Sequence, residues 1–151
     1  MADFKSKKFV YKNSVKWKGQ KRGLLSAIDK SAFEVATPPE FKGHAGIWSP
    51  EDLFVVAVNT CIMTTFLYYA EKGRVEFLNY ESEAEGVLDR VGNQFMFSTV
   101  TVKPRITVKH GVDIEKAYRL IELSEKNCLI SNSIKTNVTV FPEIKVESKD
   151  E

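Results

Sequence analysis

Two cysteines, Cys61 and Cys128, are the residues of this 151-residue chain best suited to redox chemistry. A thiolate attacks electrophilic oxygen or sulfur, and a second thiol within reach can close the resulting sulfenic acid into a disulfide. Cys61 stands in "VNTCIMTTF", in the middle of a run, Leu53 to Ala70, of 18 residues with no charged side chain. A free cysteine in such a run is a small hydrophobe by default, so packing and nucleophilic roles both stand open. A mid-helix position gives no help from a helix amino terminus, so a nucleophilic Cys61 is expected to need a nearby cation. Arg22, or Lys21 beside it in the turn "GQKRG", is the candidate. A guanidinium keeps its proton and can hold a thiolate in an apolar pocket. The same alternatives apply to Cys128, which is expected on the apolar stripe at the end of a second helix, so that both thiols can face one core.

Other chemistries lack their motifs. There is no CxxC, HExxH, Walker loop, GxGxxG or GxSxG, and His44 and His110 stand far apart without a cysteine or acid cluster beside them. His44 is expected to be a polar loop residue and His110 the end of a strand. No metal and no cofactor are expected.

The elements that must position the cysteines can be read from periodicity and from turn residues. The chain suits one soluble domain spanning residues 1–151, with 43% apolar and 28% charged residues. Net charge is only +2, but the first 22 residues hold eight basic side chains against one acid, Asp3, leaving −5 for the remainder. These lysines alternate with Phe9, Tyr11, Val15 and Trp17, the period of a half-buried strand rather than of a basic tail. Tyr11 and Trp17 are therefore expected on a covered face, unavailable for stacking on bases, and no nucleic-acid partner is expected. Further strands are predicted at Leu24 to Ile28 and Phe33 to Thr37, ahead of a loop from Pro38 to Trp48. After the first helix, strands are predicted at Val75 to Tyr80, Ala84 to Arg90, Phe95 to Val102 and Arg105 to His110, with a break at Pro104. Asp113 is expected to cap a second helix with Ile114, Ala117, Tyr118, Ile121 and Cys128 at helical spacing. A last strand, Ile134 to Phe141, leads to an acidic tail expected to fray. The class is α+β with a largely antiparallel sheet.

The first helix is the best-marked element. Ser49 can cap it, Pro50 suits its first position, Glu51 and Asp52 favour its positive end, and Gly73 stops it. From Pro50 to Lys72 it is roughly 34 Å long. Its charge-free run reaches the lower bound for a membrane span. Asn59, Thr60, Thr64 and Thr65 lie within it and no Lys or Arg anchors its start, so a helix buried on all sides is expected, with no membrane partner. A chain this short cannot cover such a helix alone, and a homodimer packing the two copies of the helix together is inferred. The terminus "MADFKSKKF" has no long apolar stretch of a secretory signal, so the cytoplasm is the expected compartment.

The strings "EVATPPEFKG", "WSPEDLFVVAVNTCIMTTF" and "LIELSEKNCLISNSIK" together resemble the OsmC/Ohr superfamily of osmotically inducible and organic hydroperoxide resistance proteins. The similarity spans nearly the whole chain and rests on a Pro-Glu-x-Leu-Phe box ten residues before the helical cysteine, with a second cysteine followed by x-Ile-Ser-Asn. It implies an intertwined α+β homodimer, its sheet wrapped around a central cysteine helix, acting as a metal-free peroxidase on organic hydroperoxides in stress defence. By position, Cys61 matches the peroxidatic cysteine, Cys128 the resolving one, Glu51 the glutamate paired with the active-site arginine, and Arg22 that arginine, with Lys21 the alternative. Leu129 stands where a proline commonly follows the second cysteine in the hydroperoxide subgroup, and "GQKRG" departs from that subgroup's Gly-Gly-Arg-x-Gly. Phe54, Phe66 and Tyr68 are the apolar residues expected to favour an alkyl hydroperoxide, and an external dithiol is the expected reductant. The competing expectation is a non-catalytic member that holds a small apolar ligand at the dimer interface. Glu51 and Cys61 lie roughly 15 Å apart along one helix, so the Glu51 and Arg22 nearest a given Cys61 are expected not all to come from one chain.

Overall fold

Alternation before Gly19 produces a shorter strand than it predicts. In a computed structural model of the chain, which describes residues 7–148, β1 covers only Ser14–Trp17 and residues 7–13 carry no regular structure. Asp3, Lys5 and the last residues of the acidic tail lie outside the described part. The turn at Gly19 and Gln20 leads to β2 (Arg22–Ser26), which pairs antiparallel with β1 and with β3 (Phe33–Ala36). Tyr11 and Trp17 are not on a covered face: they are 90% and 74% exposed. A three-stranded sheet this small has no layer of its own to lay over them. The Pro38 to Trp48 loop holds one short 3-10 turn, Pro39–Phe41, and is tied back where the Ala36 N–H donates to the Trp48 carbonyl (2.9 Å). These residues, up to Leu53, form one of two compact units.

Helix α1 runs Pro50–Gly73, and the division between the units falls in its first turn. Its start is a reciprocal capping box. Asp52 N–H donates to Ser49 Oγ (3.0 Å), and Ser49 N–H donates back to the Asp52 carboxylate (3.0 Å).

In the second unit, β4 (Phe77–Val91) and β5 (Gln94–Val108) form one long antiparallel hairpin turned at Gly92, whose φ of +63° suits glycine. Sequence periodicity divides each of these strands in two, but the chain does not. Pro104 remains in β5 opposite Ser82. On the other side of β5, β6 (Asn137–Val140) pairs in parallel with Thr99–Val102 and β7 (Glu143–Val146) with Arg105–Val108. Pro104 falls in the gap between those two pairings, where a missing N–H breaks no rung. The sheet is thus mixed, with the antiparallel hairpin its largest part. β7 is also a correction: the tail expected to fray instead forms a strand that buries Ile144. The Ile144 N–H donates to the Tyr118 hydroxyl (3.3 Å).

Helix α2 spans Ile114–Asn127 after a 3-10 turn, Gly111–Asp113. Asp113 takes the N-cap position, but its side chain makes no capping bond, because the turn ahead of it holds its backbone in a helical conformation. The core is built from Val58, Ile62, Phe66 and Ala70 of α1, the inward residues of β5, Ala117 and Ile121 of α2, and Cys128. Burial of each larger aliphatic or aromatic side chain among them contributes about 1.5–3 kcal/mol. Gly86 lets α1 approach β4: a Cβ there would lie 2.5 Å from Val55 Cγ2. Lys116 Nζ donates to the Gly73 carbonyl and ties α2 to the end of α1.

The expectation that α1 is buried on all sides is corrected within the single chain. By length and composition, with a hydropathy of 1.7 in its most apolar window, α1 could cross a bilayer. Only the stripe Val58, Ile62, Phe66 and Ala70 is fully covered, while Val56, Leu67 and Tyr68 are 38%, 37% and 51% exposed. One sheet and one short helix can cover one side of a 24-residue helix and no more.

Candidate functional site

Cys61 is half-buried in the fourth turn of α1, and Cys128 is fully buried as the first residue after α2. Cys128 belongs to the buried core and Cys61 packs against that core from α1. The meeting of residues 67 positions apart at one core is set up by α2, whose apolar stripe lies on that core and leaves the residue that follows the helix there.

The two sulfurs have opposite acid strengths. Burial acts to raise the Cys61 thiol, but the Ile130 N–H, the Cys128 thiol, the Thr65 hydroxyl (Oγ1 3.8 Å from Sγ) and the Leu129 N–H outweigh it, and its pKa falls below the ordinary value. Cys128 moves the other way. Burial pushes it up and the adjacent Cys61 sulfur adds to this, only partly offset by Ser131, whose N–H lies 3.5 Å from Cys128 Sγ. Of the two thiols, Cys61 is therefore the more readily ionised.

The other predicted residues are placed as follows. Phe54 and Tyr68 lie two turns either side of Cys61 on the same stripe of α1, and Phe54 stacks on Phe97 with centroids 4.7 Å apart. Tyr68 packs edge-on against Tyr69, with Lys72 over its ring. Phe66 lies about 140° round the helix from Cys61. It is fully enclosed between Phe77 and Tyr80, so it serves the core. Arg22, Lys21 and Glu51 belong to the amino-terminal unit. There, Arg22 Nη1 is 3.5 Å from Glu34, while Arg22 Nε and Glu51 Oε1 are buried with no hydrogen-bond partner among the described residues. Lys21 Nζ donates to the Phe41 carbonyl (3.3 Å).

Sequence reading does not single out Thr65, whose hydroxyl meets the Cys61 sulfur and whose signal is its i+4 spacing from Cys61.

A mixed α+β fold that brings two free cysteines to one core defines a class of thiol-bearing proteins. The chain belongs to the OsmC-like protein family, whose profile matches residues 43–143. It is 25% identical over 116 residues to the uncharacterized protein YmaD of Bacillus subtilis (strain 168), covering 75% of this chain and 77% of that one. Among solved structures, an OsmC-like protein of unknown function from Vibrio cholerae superposes with a TM-score of 0.82 at 20% identity, covering 89% of this chain and 99% of that one. An organic hydroperoxide resistance protein from Elizabethkingia anophelis superposes with a TM-score of 0.66 at 22% identity, covering 95% and 100%. At these identities the structural likeness establishes the fold.

Proposed function

We propose that this chain is a metal-free thiol peroxidase acting on organic hydroperoxides. The observation that carries the reading is that the two free cysteines, distant in sequence, meet at one core, with Cys61 shifted down and Cys128 up. The Cys61 thiolate attacks the distal peroxide oxygen; the O–O bond breaks, and the alkoxide takes a proton and leaves as the alcohol. Cys61 is left as a sulfenic acid. The Cys128 thiol displaces its hydroxyl as water, forming the Cys61–Cys128 disulfide, which an external dithiol reduces. Phe54 and Tyr68, flanking Cys61, are the apolar residues assigned to the alkyl group. Arg22, with Lys21 the alternative, is assigned as the cation that holds the Cys61 thiolate, and Glu51 as the glutamate that pairs with it, on their match to the family box. Their unpartnered buried atoms support that assignment.

A second copy of the chain is proposed to cover the open side of α1, where Val56, Leu67 and Tyr68 remain exposed. The purified protein is then expected at twice 17.1 kDa by light scattering without detergent. A monomer, or a protein extracted only with detergent, contradicts this.

Counting free thiols after adding cumene hydroperoxide to the reduced protein tests the chemistry. Loss of two thiols per chain, abolished by Cys61→Ser, supports the peroxidase. Unchanged thiols eliminate it and favour a family member that binds a small apolar ligand.

A further inference from the structure

Cys61 lies in the middle of α1, where the N–H groups of its own helix are committed to carbonyls four residues back. A hydrogen bond to its sulfur from within α1 must therefore come from a side chain. Helical side chains tilt toward the amino terminus, so those lying over residue 61 belong to the positions three and four places ahead of it. Both are threonines, Thr64 and Thr65, whereas the matching positions behind, Ala57 and Val58, carry no polar group. The two hydroxyls go to different places. Thr64 Oγ1 donates to the Cys61 carbonyl (3.2 Å), which also receives the Thr65 N–H along the helix ladder. A carbonyl oxygen has two lone pairs, and both are then used. A common outlet for a threonine hydroxyl in a helix is the carbonyl four residues back, and for Thr65 that acceptor is already full. Its Oγ1 lies instead 3.8 Å from Cys61 Sγ, within hydrogen-bonding reach of sulfur. Thr65 and Cys61 are both half-buried, so water competes less for this hydroxyl than for one on the open surface.

We propose that Thr65 is a positioning residue for Cys61, its hydroxyl fixing the direction of the sulfur and donating to it once the proton has left. This deepens the proposed function by adding a residue that prepares its nucleophile, and rests on Cys61 being that nucleophile. The hydroxyl acts beside the assigned cation and does not replace it. A guanidinium supplies charge and only donates, whereas a hydroxyl can rotate, accepting from the thiol and donating to the thiolate. A hydrogen bond to an ionised partner is roughly twice as strong as one between neutral groups, so the same contact favours the thiolate over the thiol. Burial acts against ionisation of Cys61, and the Thr65 hydroxyl is among the groups that overcome it.

The pH profile of Cys61 reactivity tests this. The rate of iodoacetamide alkylation of Cys61, followed by peptide mass in the reduced full-length protein, is measured against pH. Thr65→Val keeps the branched Cβ and the size of the side chain but loses the hydroxyl. Its midpoint is expected to rise by about one pH unit and its neutral-pH rate to fall about fivefold to tenfold, the effect of losing one hydrogen bond to a charged sulfur. Thr65→Ser, which keeps the hydroxyl, is expected to recover most of that rise. If Thr65→Val fails to fold, Thr65→Ala takes its place. An unmoved midpoint in the folded hydroxyl-free variant overturns the proposal, as does a rise in Thr65→Ser equal to that of the hydroxyl-free variant. Alkylation does not involve peroxide, so a raised midpoint in the hydroxyl-free variant of a protein that itself ignores cumene hydroperoxide supports the Thr65 assignment while sinking the peroxidase.

Discussion

Helices α1 and α2 each deliver one sulfur, and they do so in opposite ways. α1 is apolar along its length and carries Cys61 in its middle; α2 is amphipathic and places Cys128 just past its last turn. A helix interior offers a sulfur rigidity but no spare donors. The carboxyl end of a helix leaves carbonyls unpaired, and the turn beyond it, less rigid, is free to direct its own N–H groups, as Ser131 does toward Cys128 Sγ. The two helices are complementary in this respect, since the rigid one fixes Cys61 while the turn after the amphipathic one carries the second thiol.

Removing each sulfur in turn breaks this comparison most sharply. Cys61→Ser is expected to abolish hydroperoxide-dependent oxidation, a loss of several orders of magnitude. Cys128→Ser is expected to permit one oxidation and then stop at the Cys61 sulfenic acid, trapped by dimedone and read by mass. A Cys128→Ser protein that turns over like its parent would remove Cys128 from the reaction.

Truncation in the two helices measures their shares of the core. Phe66→Ala in α1 is expected to cost about 3–5 kcal/mol and Ile121→Ala in α2 about 2–5 kcal/mol by urea denaturation, since both side chains are fully enclosed. Both variants should retain thiol chemistry while folded. Loss of the Cys61 shift in Ile121→Ala alone would show that α2 packing aims the turn.

The smallest effect is in the pH dependence of stability, where the two thiols have opposite signs. Cys61 has a lowered folded pKa, so its contribution is present above the unfolded value, about 8.5, and is lost as pH falls through the folded one. Cys128 has a raised folded pKa, so its contribution is present below the unfolded value and is lost as pH rises through the folded one. Comparing each single cysteine-to-serine variant with the parent by urea denaturation across this window should give slopes of opposite sign. Matching slopes would contradict the assignment.

How much of this could be read beforehand depends on whether a side chain or the backbone carries the information. The capping box of Ser49 and Asp52, the span of α1 and the two-cysteine pairing are written in side chains, and the sequence conveys them. Pro104 misleads because its tolerance depends on a gap between β6 and β7 that no local pattern reveals. The strand Glu143–Val146 is hidden among charges, since only Ile144 is buried. Cys61 shows the limit best. Its mid-helix position suggests a need for positive charge, which points to Arg and Lys, whereas the groups that lower its pKa include the Ile130 and Leu129 amides. Amides belong to every residue but proline, so no letter marks them.

The bond from the Ile144 N–H to the Tyr118 hydroxyl has a consequence away from the thiols. β7 is paired on one side only, and an unpaired strand edge invites another chain to add itself. Tyr118 occupies a donor on that edge with a side chain from the helix that ends at Cys128. Tyr118, on the helix that delivers the second sulfur, is thus expected to guard this edge, and a Tyr118→Phe protein would carry an open backbone donor where unfolded or neighbouring chains could begin to stack.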